Sequence, residues 1–206
     1  MELVRRGDEF LIRLDGQVLM TSRTHGSEEA LAGLACAAIR GRRRPRVLVG
    51  GLGMGYTLRA ALAALPAHAS VVVAELVPEV VTWNRGPLGP LAGRPLDDPR
   101  VSVAEGDVAA LMARERGTVD AILLDVDNGP TGLPREANED LYAERGLAIA
   151  RRALRPGGVL AIWSASPAPR FEARLRRASF DVRVHRVTAR GTGGGRKHAI
   201  WVGCAR

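Results

Sequence analysis

From Arg46 onward the sequence alternates short apolar runs with helix-length segments, and few folds accept that pattern. Val47-Leu48-Val49, Val71 to Ala74, Val101 to Ala104, Ala121 to Leu124 and Val159 to Trp163 each read as a buried strand. Helices are expected near 55–65, 79–83, 107–115, 139–154 and 169–178. Strands spaced by helices predict a parallel sheet covered on both faces. Strands at 180–187 and 198–203 have no helix between them. They are joined by Gly191-Thr192-Gly193-Gly194-Gly195 and should pair antiparallel. Upstream, runs over 9–14 and 17–21 flank Asp15-Gly16, which predicts a β-hairpin. Ser27 offers an N-cap, with Glu28 and Glu29 in the first turn of a helix reaching Ile39.

Five strand–helix units closed by a hairpin follow the plan of a Rossmann-like, class I methyltransferase fold. We therefore expect a hairpin over 1–24 and an α/β domain over 25–206. Its seven-stranded sheet should be mostly parallel with an antiparallel last strand. The chain has 206 residues, enough for one sizeable core. No apolar run reaches the roughly 18 residues of a membrane span. Met1 to Phe10 is charged and unlike a signal peptide, so a cytoplasmic location is expected.

The formal net charge of +8 invites a nucleic-acid reading. Lys197 is the only lysine, however, and the arginines are spread along the chain. The dense run Arg40, Arg42, Arg43, Arg44 and Arg46 has no interleaved aromatics and reads as a solvated loop. Specific binding to DNA or RNA is not expected. Cys36 and Cys204 lack CxxC spacing, and no cluster has metal-ligand spacing, so neither a disulfide framework nor a metal site is expected.

Chemistry concentrates at the strand C-termini. Gly51, Gly53 and Gly55 follow the first strand, where glycines let backbone pass close to a ligand and aim helix amides at it. A dinucleotide fingerprint needs G-x-G-x-x-G, and Tyr56 occupies its last position, so an adenosyl amino acid fits better than a pyrophosphate. Glu75 ends the second strand, placed to accept ribose hydroxyls. Gly106-Asp107 follows the third strand, where Asp107 is a candidate for the adenine amine and for a helix N-cap. Asp125-Val126-Asp127-Asn128-Gly129-Pro130 follows the fourth, at the switch point where open parallel sheets bind ligands. His25 is a weaker candidate for the cleft.

The sequence resembles the spermidine synthase (polyamine aminopropyltransferase) family. The resemblance rests on Phe10 to Thr21, Val47 to Leu62, Asp98-Pro99-Arg100-Val101 with Gly106-Asp107, Asp120 to Pro130, and Leu154 to Gly158. It implies that Glu75 holds the ribose and Asp107 the adenine. The departures fall on the amine side. The family's glycine-turn Asp is Met54 here, its second loop Asp aligns with Asn128 (or with Asp127 after a one-residue shift), and its hairpin Gln is Leu19. Its acidic pair and Tyr after the hairpin fall on Thr24, His25 and Glu28. A multiply charged amine needs carboxylates, so these losses lead us to expect S-adenosylmethionine-dependent methyl transfer to a small-molecule acceptor, with little spermidine formed. Asp125 or Asp127 would orient the nucleophile or take its proton. The alternatives are aminopropyl transfer from decarboxylated S-adenosylmethionine and a non-catalytic nucleoside-binding module. The resemblance also implies a homodimer formed through the N-terminal region.

Overall fold

The computed structural model describes residues 1–126, 129–131, 140–191 and 194–206. Asp127, Asn128, Thr192, Gly193 and the start of the helix expected from residue 139 lie outside the described residues.

Three N-terminal strands, β1 (Glu2–Arg6), β2 (Glu9–Leu14) and β3 (Gln17–Thr21), form an antiparallel sheet. The expected hairpin is its β2–β3 half. β1 adds a third strand that the sequence pattern hides, because three of its five residues are charged.

The main chain then runs α1 (Gly26–Ala38), β4 (Arg46–Gly50), α2 (Tyr56–Ala64), β5 (Ser70–Glu75) and α3 (Pro78–Arg85). It continues β6 (Val101–Glu105), α4 (Val108–Arg114), β7 (Val119–Leu124), α5 (Glu144–Ala153) and β8 (Leu154–Ser164). It closes with α6 (Pro169–Arg177), β9 (Phe180–Thr188) and β10 (Lys197–Ala205). The seven strands lie in the order β6-β5-β4-β7-β8-β10-β9, a mostly parallel Rossmann-type sheet. β10 is antiparallel to both its neighbours, as the glycine tract predicts.

The strands are apolar throughout because both faces are covered, and their period of two divides each strand between two cores. Val47, Val49, Ala121 and Leu123 pack under α1, α2 and α3. Leu48, Ile122 and Leu124 point the other way, toward α4, α5 and α6. A third cluster of Ile12, Met54, Tyr56, Leu88 and Ala92 fastens the N-terminal sheet to the glycine turn.

Two local expectations change. Ser27 is not the N-cap of α1: His25 holds that position without a side-chain cap bond, and Ser27 lies inside the helix. The Gly26 amide instead donates to the Ala189 carbonyl at 2.9 Å, fixing the start of α1 to the β9 end of the closing hairpin. A Cβ on Gly26 would stand 2.3 Å from the Gly191 nitrogen, so only glycine permits this approach. The arginine run is only partly solvated. Arg40, Arg43 and Arg44 are exposed, but Arg42 pairs with the buried Asp120 and Arg46 grips Glu115 with both terminal nitrogens.

Candidate active site

β4 and β7 are neighbours, and the chain leaves them toward opposite sides of the sheet. The gap above their C-terminal ends is a cleft of about 200 Å³, roofed by Ile12, Leu19 and Met20 from the N-terminal sheet.

The glycine turn enters this cleft at Gly51 and Gly53. Gly51 has φ +89°, and a Cβ there would lie 2.3 Å from the Asp125 carbonyl oxygen. Glycine at 51 therefore lets the β4 turn close onto the end of β7. Gly55 does not line the cleft: it is the left-handed N-cap of α2, packed by Asn84, Pro95 and Ala92.

Glu75 stands at the end of β5 and is 8% exposed. Its Oε2 accepts the Leu52 amide and its Oε1 accepts the Val77 amide, both at 2.9 Å. Each oxygen keeps a further lone pair directed to partners other than these amides. The carboxylate thus shapes the glycine turn and offers acceptors to the cleft. Beside it Leu76 is left 60% exposed at the cleft wall, an apolar surface ready to pack against a flat ligand. Asp107 caps α4 through Oδ1, which accepts the Ala109 amide at 2.8 Å, and Gly106 and Asp107 both line the cleft.

Across the cleft Asp125 follows β7. Its Oδ2 accepts the Thr57 hydroxyl at 2.5 Å. Desolvation pushes its pKa up to about 6, against the lowering effect of that bond. The second carboxylate on this side is Glu28, from the first turn of α1, 8% exposed. Burial, followed by the charge of Asp125, pushes it up to about 7. The sequence places Glu28 in a helix first turn and, by the resemblance, among the positions after the hairpin where the family carries an acidic pair and a Tyr. The adjacent Ser27-Glu28-Glu29 was the available signal, but only the fold turns one of these acids inward.

Met54 does not line the cleft. It is fully buried in the apolar cluster under the N-terminal sheet. His25 also faces away from the cleft lining, stacked on Tyr56 with ring centroids 4.1 Å apart. Among the described residues no group of three or more His, Cys, Asp or Glu is placed to hold a metal ion. Nor is any described helix long and apolar enough to cross a membrane.

A doubly wound sheet with an acid closing its second parallel strand and a glycine turn after its first is an arrangement shared with nucleoside-binding α/β proteins. Comparison with known proteins sharpens this. The chain is 29% identical over 168 residues to a polyamine aminopropyltransferase of Mycobacterium tuberculosis, covering 80% of this chain and 31% of the relative. It is 32% identical over 160 residues to polyamine aminopropyltransferase 2 of Pseudomonas aeruginosa, covering 74% of this chain and 42% of the relative. The chain thus spans between 31% and 42% of the length of these curated relatives. No family model matches it. Among solved structures, spermidine synthase from Thermotoga maritima superposes with a TM-score of 0.72 at 20% identity, over 96% of this chain and 66% of that one. A spermidine synthase in complex with the transition-state analogue AdoDATO superposes at 0.78 and 20% identity, over 96% and 67%. The fold is that of spermidine synthases, and the curated relatives point toward that family.

These comparisons overturn the expectation of methyl transfer. The curated relatives are aminopropyltransferases, not methyltransferases. Two of the departures behind that expectation fall at Met54 and Asn128. The first position lies in the apolar packing outside the cleft, the second lies outside the described residues, and Glu28, at one of the positions after the hairpin, supplies an acid to the cleft.

Proposed function

We propose that the chain transfers the aminopropyl group of decarboxylated S-adenosylmethionine to a small amine. One observation carries this reading: two carboxylates, Glu28 and Asp125, line the acceptor side, and no arginine or lysine side chain lines the cleft among the described residues. A donor that kept its carboxylate would set a third negative charge beside them. Like charges at such range in a partly closed site repel by about a few kcal/mol. The decarboxylated donor ends in an ammonium, which the same pair attracts. The names of the curated relatives agree with this donor.

Glu75 is the residue to accept the ribose hydroxyls, Leu76 and Val108 to flank the base, and Asp107 to meet its edge. Gly51 and Gly53 bring backbone close to the donor, while Gly55 acts from behind as the cap of α2. Asp125 holds the cationic arm, and the Asp127 role expected from sequence remains a proposal for the same loop. Aminopropyl transfer is an in-line displacement at carbon, so much of the rate comes from placing the amine behind the C–S bond.

Titration calorimetry with the two sulfonium nucleosides tests the reading, run beside a putrescine assay with mass detection of spermidine. Tighter binding of the decarboxylated form is expected. Preference for the carboxylated form would reject the proposal.

The setting we propose is a cytoplasmic enzyme acting on a small-molecule acceptor, without specific nucleic-acid binding, as a two-fold homodimer joined through the N-terminal sheet. That sheet has free edges at β1 and β3, and Val18 on it is 54% exposed. A monomeric mass by light scattering at micromolar concentration would count against the dimer.

A further inference from the structure

We propose that Ser27 and His198 form a hydrogen-bonded relay that holds Glu28 toward the acceptor nitrogen and carries away the proton Glu28 takes from it. The inference rests on the aminopropyl-transfer reading above and deepens it.

The geometry is a continuous path. Ser27 Oγ donates to Glu28 Oε2 at 2.6 Å. Nδ1 of His198, on β10, lies 2.9 Å from the same Oγ. Ser27 is 1% exposed, so its hydroxyl is removed from water and tied to these two groups. The His198 ring sits edge-on to Trp163 with centroids 4.8 Å apart, and Trp163 lines the cleft beside Glu28. The contact of Gly26 with Ala189 and Gly191 presses the start of α1 onto the closing hairpin and sets the reach from Ser27 to His198.

The groups around the path support its direction. Glu28 faces the charge of Asp125 and, more weakly, that of Glu29. Glu29 is itself paired with Arg59 and His25. His198 is held below its usual pKa by burial and by the charge of Arg196, so an imidazolium there sheds its proton readily. Glu28, raised into the neutral range, is matched to an ammonium better than an ordinary carboxylate is.

The step balances as follows. Glu28 takes one proton from the acceptor ammonium. The freed nitrogen pair forms the N–C bond to the methylene carbon next to sulfur. The C–S bond breaks with its pair left on sulfur, giving a neutral thioether and a secondary ammonium. The proton on Glu28 passes through Ser27 Oγ to Nδ1 of His198 while Nε2 releases one to solvent. Glu28 touches the acceptor and is the catalytic residue; Ser27 and His198 are positioning residues.

The test begins with methylthioadenosine binding to the wild type and to Glu28→Gln, Ser27→Ala, His198→Asn and His198→Ala. All five should bind alike, which also shows that each variant is folded. Failure of the wild type to bind rejects the underlying reading rather than the relay alone. The second measurement is kcat/KM against pH with decarboxylated S-adenosylmethionine and putrescine, 1,3-diaminopropane or a monoamine. The wild-type rate should rise with pH through the neutral range. Glu28→Gln should lose that limb and about 100-fold or more in rate. Ser27→Ala should move the limb to higher pH, because the lost hydroxyl bond had favoured the carboxylate. His198→Asn keeps a polar hydrogen-bonding group beside Ser27 but has no second ring nitrogen to pass a proton on, so a rate restored fully by Asn but not by Ala would reduce His198 to a structural role and overturn the relay. A wild-type limb preserved in Glu28→Gln overturns it too. So does a protein that binds methylthioadenosine and turns over none of the three amines.

Discussion

The Thr57 hydroxyl donates to Asp125 Oδ2 at 2.5 Å, joining the first turn of α2 to the residue that follows β7. The bond opposes the desolvation that drives Asp125 upward. Thr57→Val keeps the shape and removes the donor. The Asp125 carboxyl should then titrate at higher pH, read by carbon-detected NMR, with a stability loss of about 1–3 kcal/mol for the partner left unsatisfied. An unmoved titration would show that the bond does not govern this acid.

Glu28 and Asp125 both have folded-state pKa values above their ordinary ones, at about 7 and about 6. Between the unfolded and folded values the native state binds more protons, so stability falls as pH rises from about 4 to about 7. Glu28→Gln removes one of these acids and keeps an acceptor for Ser27. It should be more stable than the wild type at pH 8 by on the order of 1–3 kcal/mol. The two should converge once the pH drops below the unfolded-state value. Equal denaturation midpoints at both pH values would contradict the raised pKa.

Glu75→Ala should weaken nucleoside binding by about 1.5–3 kcal/mol, the range for hydrogen bonds to a charged group. The structure adds a second consequence. Leu52 and Val77 amides lose their acceptor, so the variant should also unfold earlier. Glu75→Gln keeps one carbonyl oxygen. It should recover part of the stability and less of the affinity, which a thermal melt beside a titration separates. Unchanged affinity in both variants would remove Glu75 from the site.

Met54→Asp is the substitution that comparison with spermidine synthases suggests for restoring a carboxylate. Here it should instead destabilise the protein by about 3–5 kcal/mol, because the new charge is buried without a partner. Met54 is fully buried among Ile12, Tyr56, Leu88 and Ala92. A stable variant with faster putrescine turnover would show that this side chain reaches the acceptor.

The glycine-turn side of the cleft was legible because each of its lining residues sits at a strand end that the local pattern already marks. Glu75 closes an apolar run, Asp107 opens a helix, and the glycines announce a close approach of backbone. The Glu28 side was not legible, since Ser27 and His198 are 171 residues apart and only the fold brings them together. Met54 shows the opposite hazard. Its alignment position was clear, but the direction of its side chain is decided by packing against β2, and no spacing rule reports that. β1 was hidden for a related reason: an exposed edge strand has no need of the apolar alternation that reveals buried ones.

The contact of Gly26 with Gly191 also sets an order of events in time. The first helix cannot settle its leading turn until the hairpin of β9 and β10 exists, and that hairpin follows all the other strands in chain order. The groups proposed to face the nucleoside, on β5 and just after β4 and β6, belong to earlier, more local pairings. Contacts that span most of the chain close late, because loop entropy is lost before they reward it. A chain caught part-way should therefore hold a nucleoside before it can present Glu28 to an amine.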